Sequence, residues 1–577
     1  MLKMLTNFYI GALLSVAVNH AAAAGFRTVG SSGCTAQMVF LQPFTDNAIF
    51  LDNYHPNYGG PGVNLQTGAH AKEEYVYDGT KTSVLSTEFN WRTAALRKLR
   101  PKSNTFCSAG AFFPDGTLMN LAGAEPNAKD GIGDGFDAIR RFAPGPCDGG
   151  QCTTDWVEGA SKLQARRWYP TAEALANGDI VVVGGSNKGG LVVNEVDINV
   201  PTYELVTQTG APPAPVKLPV LEFTDNADTN KAYNLYPILA LLPNEANADE
   251  VFTLAGDQAV IWNYKTDKLV KTLPNAPKWA RNFPSSATAV LLPLSPANNY
   301  EPTILLCGGS SGDKPAPKTL DDCYHIQPYA AQPTWEQVDN LPNGGQVMTD
   351  AILLPDGKVL LINGAHTGSA GGFMADDPVT VPLIYDPSQP VGSRFTPLPK
   401  ATIPRMYHSI SQPLPNGEVL IAGSNPSVVY NAGGKVFGNW PNFNNNGKRS
   451  FLQQQQRKDS SYPTEYRVEI FSPDYVASKN RPKITRAPNE IAYGKTFDVA
   501  TNAQGQNVVI RLMAPGFHTH AVSMQHRLVE LEIKPGAGQG EFTVTAPPRS
   551  TVIQAGPLLL FVVVDGIPSE GVWVKLA

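Results

Sequence analysis

One pattern recurs seven times along the chain: a short segment, a turn containing glycine, an apolar strand, then Gly or Gly-Gly. The copies begin near Met38 (MVFLQPFTDNAIFLDN), Phe106 (FCSAGAFFPDGTLMNLAG), Arg167 (RWYPTAEALANGDIVVVGG), Leu235, Asn282, Val347 (VMTDAILLPDGKVLLINGA) and Met406 (MYHSISQPLPNGEVLIAGS). Each unit can bury its apolar face only against a neighbour, so a repeat of this kind dictates architecture. Units of roughly 50 to 60 residues fit kelch-type blades with loop insertions. Each reads as a hairpin around a PDG, ANG or PNG turn, as a four-stranded blade requires. Seven blades make a closed β-propeller. The register carries further information: Cys107, Tyr169 and His408 each lie nine residues before the turn glycine of their unit, Gly116, Gly178 and Gly417. Equivalent blade positions thus carry unusual residues that could converge on a central channel.

The repeat stops after Pro426, and Asn431 to Pro463 is rich in Asn, Gln and Gly, which places a polar connector or insertion at 431–465. From about Tyr466 to Ala577, runs such as VEIFSP, NVVIRLMAP, RLVELEI, EFTVTAP and LLLFVVVDG are strands at sandwich-like spacing. The expected fold is all-β, a propeller over 25–430 followed by an immunoglobulin-like domain over 466–577, with residues 25–37 helping to close the ring. Residues 1–24 have a basic Lys3, an apolar run from Leu5 to Val18 and small residues at Ala22 and Ala24, the pattern of a signal peptide cleaved before Gly25. That run is shorter than the roughly 20 residues of a membrane span. A secreted protein with no membrane anchor is expected.

The 577 residues carry a net charge of -5, which leaves no basic footprint for nucleic acid or an anionic membrane. Small molecules are the expected partners. Six cysteines in an oxidising compartment first suggest three disulfides. By spacing, Cys147 and Cys152 could clip one loop and Cys307 and Cys323 a second, which leaves Cys34 and Cys107 without a local partner. No N-x-Ser/Thr acceptor free of proline occurs.

Four fragments carry candidate chemistry: TFC at 105–107, RWY at 167–169, RMYH at 405–408 and GFHTH at 516–520. Neighbours on a regular strand face opposite ways, so Tyr407 and His408 could bind one ion only where a strand ends or bends. His518 and His520, two apart, would share one face of a strand. Two imidazoles and two phenolates form the N,O donor set that suits tetragonal Cu(II). Phenolate ligation asks for a tyrosine far below its usual pKa of about 10, which a divalent cation can provide. No HExxH, phosphate loop or GxSxG elbow competes.

At these residues the sequence resembles fungal glyoxal oxidases, relatives of galactose oxidase among the copper radical oxidases. TFCSAGAFFPDGT, RWYPTAEALANGDIVVVGGS, TIPRMYHS and GFHTHAVSMQHRLVEL carry the resemblance, which covers roughly residues 60–577. It implies one copper ion held by Tyr169, Tyr407, His408 and His520, with Tyr169 a radical tyrosine joined to Cys107 by a thioether. His520 rather than His518 matches the family position, in Thr519-His520-Ala521. Tyr407 would be the axial ligand and general base. The implied activity is oxidation of small aldehydes, through their hydrates, to carboxylic acids, with dioxygen leaving as hydrogen peroxide. The implied partners are the aldehyde or alcohol, dioxygen and extracellular peroxidases that consume the peroxide, around a monomer. Asn187 stands where galactose oxidase has a tryptophan that shields the crosslink, which favours the glyoxal oxidase side of the family. The rival readings are an alcohol oxidase on the same site, its preference set by loops such as His366 to Asp377 and Asn431 to Pro463, and a non-catalytic binding propeller.

Overall fold

The computed structural model describes residues 24–53, 84–426 and 462–577, apart from 129–130, 146, 149–150, 190–193, 209–211, 227–230, 244–248, 313–316, 373 and 503–504. The expected signal peptide, except Ala24, and most of the expected connector therefore lie outside the described residues.

Seven antiparallel sheets form the blades of a propeller. Their innermost strands are Met38–Leu41, Ala109–Phe112, Thr171–Ala174, Ile238–Leu241, Thr288–Leu291, Asp350–Leu353 and Ser409–Pro413, most of which touch the inner strand of the next blade. The second strands are the runs that sequence shows as continuously apolar, such as Ile180–Val183 and Val359–Ile362, and all four residues of each are buried. A strand packed on both faces needs no polar side, which is why alternation is lost there. The PDG turn shows how the hairpins close: Phe113 N–H bonds to Thr117 O at 2.9 Å, and Gly116 takes the left-handed position at φ 88°.

The last blade is built from both ends of the propeller chain. Ser409–Pro413 and Val419–Gly423 are joined by Arg467–Ser472, and Gly25–Ser31 pairs with the outer edge of that strand. The VEIFSP segment, expected in the C-terminal domain, is therefore a propeller strand. Its alternating pattern suits any antiparallel sheet, and the long insertion before it hides the blade it belongs to.

From Ile484 onward the chain forms a two-layered β-sandwich, in which Arg527–Pro535 pairs first with Val508–Ala514 and then, at its far end, with Glu541–Thr545. Its core includes Ile510, Leu512, Val529, Leu531, Val544, Leu560 and Val574. A hairpin of Phe517–Thr519 and Val522–Met524 leaves this domain and enters the propeller, where Phe517–Thr519 pairs antiparallel with Met38–Phe40 of the first inner strand. Among the described residues no helix is long and apolar enough to cross a membrane.

Cys147–Cys152 and Cys307–Cys323 are disulfide-bonded, and Cys34 and Cys107 are buried free thiols. Cys34 packs with Ala36, Val39 and Phe89, its sulfur 3.6 Å from Thr87 Oγ1. Burial pushes its thiol pKa far up, so it behaves as a small apolar side chain.

Candidate metal centre

The residue leading into each inner strand has left-handed backbone. Ala36, Cys107, Tyr169, Tyr236, Ser286, Met348 and His408 have φ of 45°, 52°, 61°, 43°, 38°, 60° and 64°. A residue with a Cβ loses about 1–2 kcal/mol in this conformation. The reversal turns side chains toward the channel and resolves the Tyr407–His408 problem, because the strand begins only at Ser409. Backbone bonds tie these entries together: Tyr169 N–H donates to Cys107 O (3.1 Å) and Tyr236 N–H to Tyr169 O (2.7 Å).

Buried arginines hold the strained entries in place. Arg167, two residues before Tyr169, donates to Gly184 O and Thr202 O at 2.9 Å and to Glu204 at 3.0 Å. Arg405, two before Tyr407, reaches Gly423 O (2.6 Å), Arg467 O (2.8 Å) and Glu469 (3.0 Å). Arg140 does the same for the Cys107 loop through Asn104 O at 2.7 Å. Removing one partner of a buried pair costs about 3–5 kcal/mol, so these are strong anchors. The RWY and RMYH fragments thus carry their own scaffolding.

The C-terminal hairpin supplies the remaining group. Phe517 packs against Gly110, where a Cβ would come within 2.5 Å of the ring, so the glycine inside that strand exists to admit the finger. Phe112 N–H donates to Gln525 Oε1 (2.6 Å), Gln525 N–H to Glu173 (2.9 Å), and Leu353 N–H to His526 Nε2 (3.0 Å). The two-residue loop is His520–Ala521, with φ of 49° and 62°, positive at both positions as a type I′ turn requires. His518 and His520 therefore do not share a strand face, since His520 lies in the turn.

At the centre, Tyr169 and Tyr407 hydroxyls are 2.7 Å apart, and Cys107 Sγ is 3.4 Å from His520 Nε2. Ligand atoms of Cys107, His408 and His520 lie within 4.8 Å of one another. The His408 and His520 rings are 4.8 Å apart at 88°, and Tyr407 stacks on His408 at 3.7 Å. All five residues are buried. Burial pushes both phenols and the Cys107 thiol well up, and holds His520 down to about 3, so its imidazole is neutral and ready to ligate. The donor set of two imidazoles and two phenols fits a tetragonal Cu(II) ion, whose charge would favour the phenolates that burial disfavours. His518 is engaged elsewhere: Nε2 is 2.7 Å from Pro515 O and Nδ1 2.9 Å from Ser523 Oγ.

The family model described as glyoxal oxidase N-terminus matches residues 38–439, and one described as galactose oxidase-like early set domain matches residues 481–576. The chain is 32% identical to aldehyde oxidase GLOX1 of Arabidopsis thaliana over 95% of this chain and 83% of that one. It is 33% identical to aldehyde oxidase GLOX of Vitis pseudoreticulata over 84% of each. The chain belongs to the glyoxal oxidase family. It is an oxidase. Its fold matches a solved fungal alcohol oxidase of the AA5 family in complex with copper, with a TM-score of 0.69, 16% identity, and coverage of 96% of this chain and all of the other.

Within this glyoxal oxidase fold, three aromatic neighbours escaped the sequence reading. Trp168 stands edge-on to Tyr169 at 4.7 Å, Phe283 lies 4.7 Å from the same ring, and Tyr236 is 5.0 Å from both Tyr169 and His520. Asn187 is exposed, so the indole packed on the tyrosine comes from the residue preceding it. The signal was available, since Tyr236 occupies the same blade register as Cys107 and Tyr169. Phe106, 5.6 Å from both Trp168 and His408, and Ala375 of the 365–378 hairpin border this cluster.

Proposed function

We propose that this chain is a secreted copper radical oxidase that converts small aldehydes, as their hydrates, to carboxylic acids and dioxygen to hydrogen peroxide. The observation that carries the reading is the convergence of Cys107, Tyr169, Tyr407, His408 and His520, from three blades and the finger, in one buried cluster. The aldehyde oxidases among its relatives support the substrate class. Two disulfides fit an oxidising compartment.

Tyr169, Tyr407, His408 and His520 would hold the ion. A bound copper would lower the substrate hydroxyl's pKa and exchange one electron, while the Tyr169–Cys107 unit exchanges the other. Tyr407, 2.7 Å from the Tyr169 oxygen, would take the hydroxyl proton as general base. Tyr169, as a phenoxyl joined to Cys107, would take the hydrogen atom from the carbinol carbon. The substrate thereby loses two electrons and two protons, which dioxygen collects as hydrogen peroxide. Trp168, Phe283 and Tyr236 keep water from the Tyr169 ring.

The test is oxygen-dependent peroxide release by copper-loaded, oxidant-activated protein offered glyoxal, methylglyoxal, galactose and simple alcohols, with Tyr169→Phe as control. Turnover strongest on aldehydes and absent in the variant supports the proposal. Preference for alcohols replaces the substrate class, and silence on all substrates despite bound copper defeats it.

A further inference from the structure

His520 is held by the residue before it. Thr519 Oγ1 lies 2.6 Å from His520 Nδ1 and donates to Gln37 O at 3.0 Å. A hydroxyl has one proton, and a carbonyl can only accept it. Thr519 therefore offers Nδ1 a lone pair, and Nδ1 must carry the imidazole hydrogen. The lone pair of the neutral ring is then on Nε2, the atom that faces Cys107 Sγ. The hairpin fixes this arrangement. Thr519 ends its strand opposite Met38, and the left-handed step at His520 brings the two adjacent side chains together. Tyr236, its hydroxyl donated to Ser108 O, packs its ring 5.0 Å from the imidazole.

We infer that Thr519 is a positioning residue: it fixes the tautomer and orientation of His520, so that Nε2 is the nitrogen presented to the metal. The inference rests on His520 being a ligand. Partners of this kind are worth about 10–100-fold in metal affinity, because they set both ring orientation and ligand basicity.

Long-range ¹H–¹⁵N correlation on metal-free protein at pH 7 reads the tautomer directly. Hydrogen on Nδ1 of His520 is expected, and hydrogen on Nε2 overturns the inference whatever the variants do. Thr519→Val keeps the shape and removes the hydroxyl, while Thr519→Ser keeps the hydroxyl. Competition titration with copper should give about 10–100-fold weaker binding for valine and, for serine, recovery to within about threefold of the parent. The thermal midpoint of the metal-free valine variant should stay within a few degrees of the parent, because the backbone pairing with Met38–Phe40 is retained. Parental copper affinity in valine, or equal weakness in serine, overturns the inference. His520→Ala with parental affinity would instead remove the ligand assignment beneath it, a failure distinguishable from an Nε2–H tautomer.

Discussion

The hydroxyls of Tyr169 and Tyr407 meet at 2.7 Å although the residues are 238 positions apart in the chain. Two phenol oxygens this close share one hydrogen when neutral and would share one cation when ionised. Tyr407→Phe removes one oxygen and leaves the Cys107–Tyr169 neighbourhood intact. The variant should still form the crosslink, seen by mass spectrometry as loss of two hydrogens, while turnover falls about 10²-fold or more. An unchanged rate would remove Tyr407 from the role of base.

Cys107 has its sulfur inside the donor cluster and no disulfide partner. Cys107→Ser should abolish the crosslink and most peroxide production while copper remains bound. Normal turnover in that variant would sink the radical assignment.

The two histidines of the finger should separate cleanly. His518→Ala deletes hydrogen bonds to Pro515 and Ser523 and should retain copper, whereas His520→Ala should lose it in equilibrium dialysis. The reverse result would mean the ligand is His518.

Ala521 holds φ 62° with a Cβ. Glycine there relieves about 1–2 kcal/mol of strain against about 0.4–1 kcal/mol of added unfolded-chain entropy, so Ala521→Gly should raise stability slightly and keep copper. A clear fall in thermal midpoint would refute a strained turn.

His526 is buried and neutral, its pKa lowered to about 4 by desolvation, and it joins Leu353 N–H to Ala514 O. The unfolded chain takes up this proton near pH 6.5 and the folded one only near 4. Its contribution is therefore present above pH 6.5 and is lost as pH falls through that window, by about 3 kcal/mol. Metal-free protein should lose thermal stability from pH 6.5 to 4, and His526→Gln should flatten that slope by close to one proton. An unaltered slope would place the titration elsewhere.

The ring of blades was legible because each hairpin repeats the same turn and apolar run, and part of the cluster was legible because Cys107, Tyr169 and His408 share a register, while the roles of Tyr407 and His520 came only from the resemblance to glyoxal oxidases. The left-handed entries were not legible, since Tyr and His carry no backbone signature comparable to glycine. Arg467–Ser472 was assigned to the wrong domain because strand pairing across a long insertion leaves no local trace. Gly110 did carry a mark of the finger, as a glycine inside an apolar strand, but only the ring of Phe517 explains it.

Closure of the last blade by Gly25–Ser31 has a consequence for biosynthesis. The earliest described strand to leave the ribosome has no sheet to join until Arg467–Ser472 has been made, and must wait through nearly the whole propeller. The finger emerges later still. The proposed copper site could therefore be completed only at the end of translation, and a chain stopped short of Phe517 would have every described blade strand yet lack the His520 imidazole.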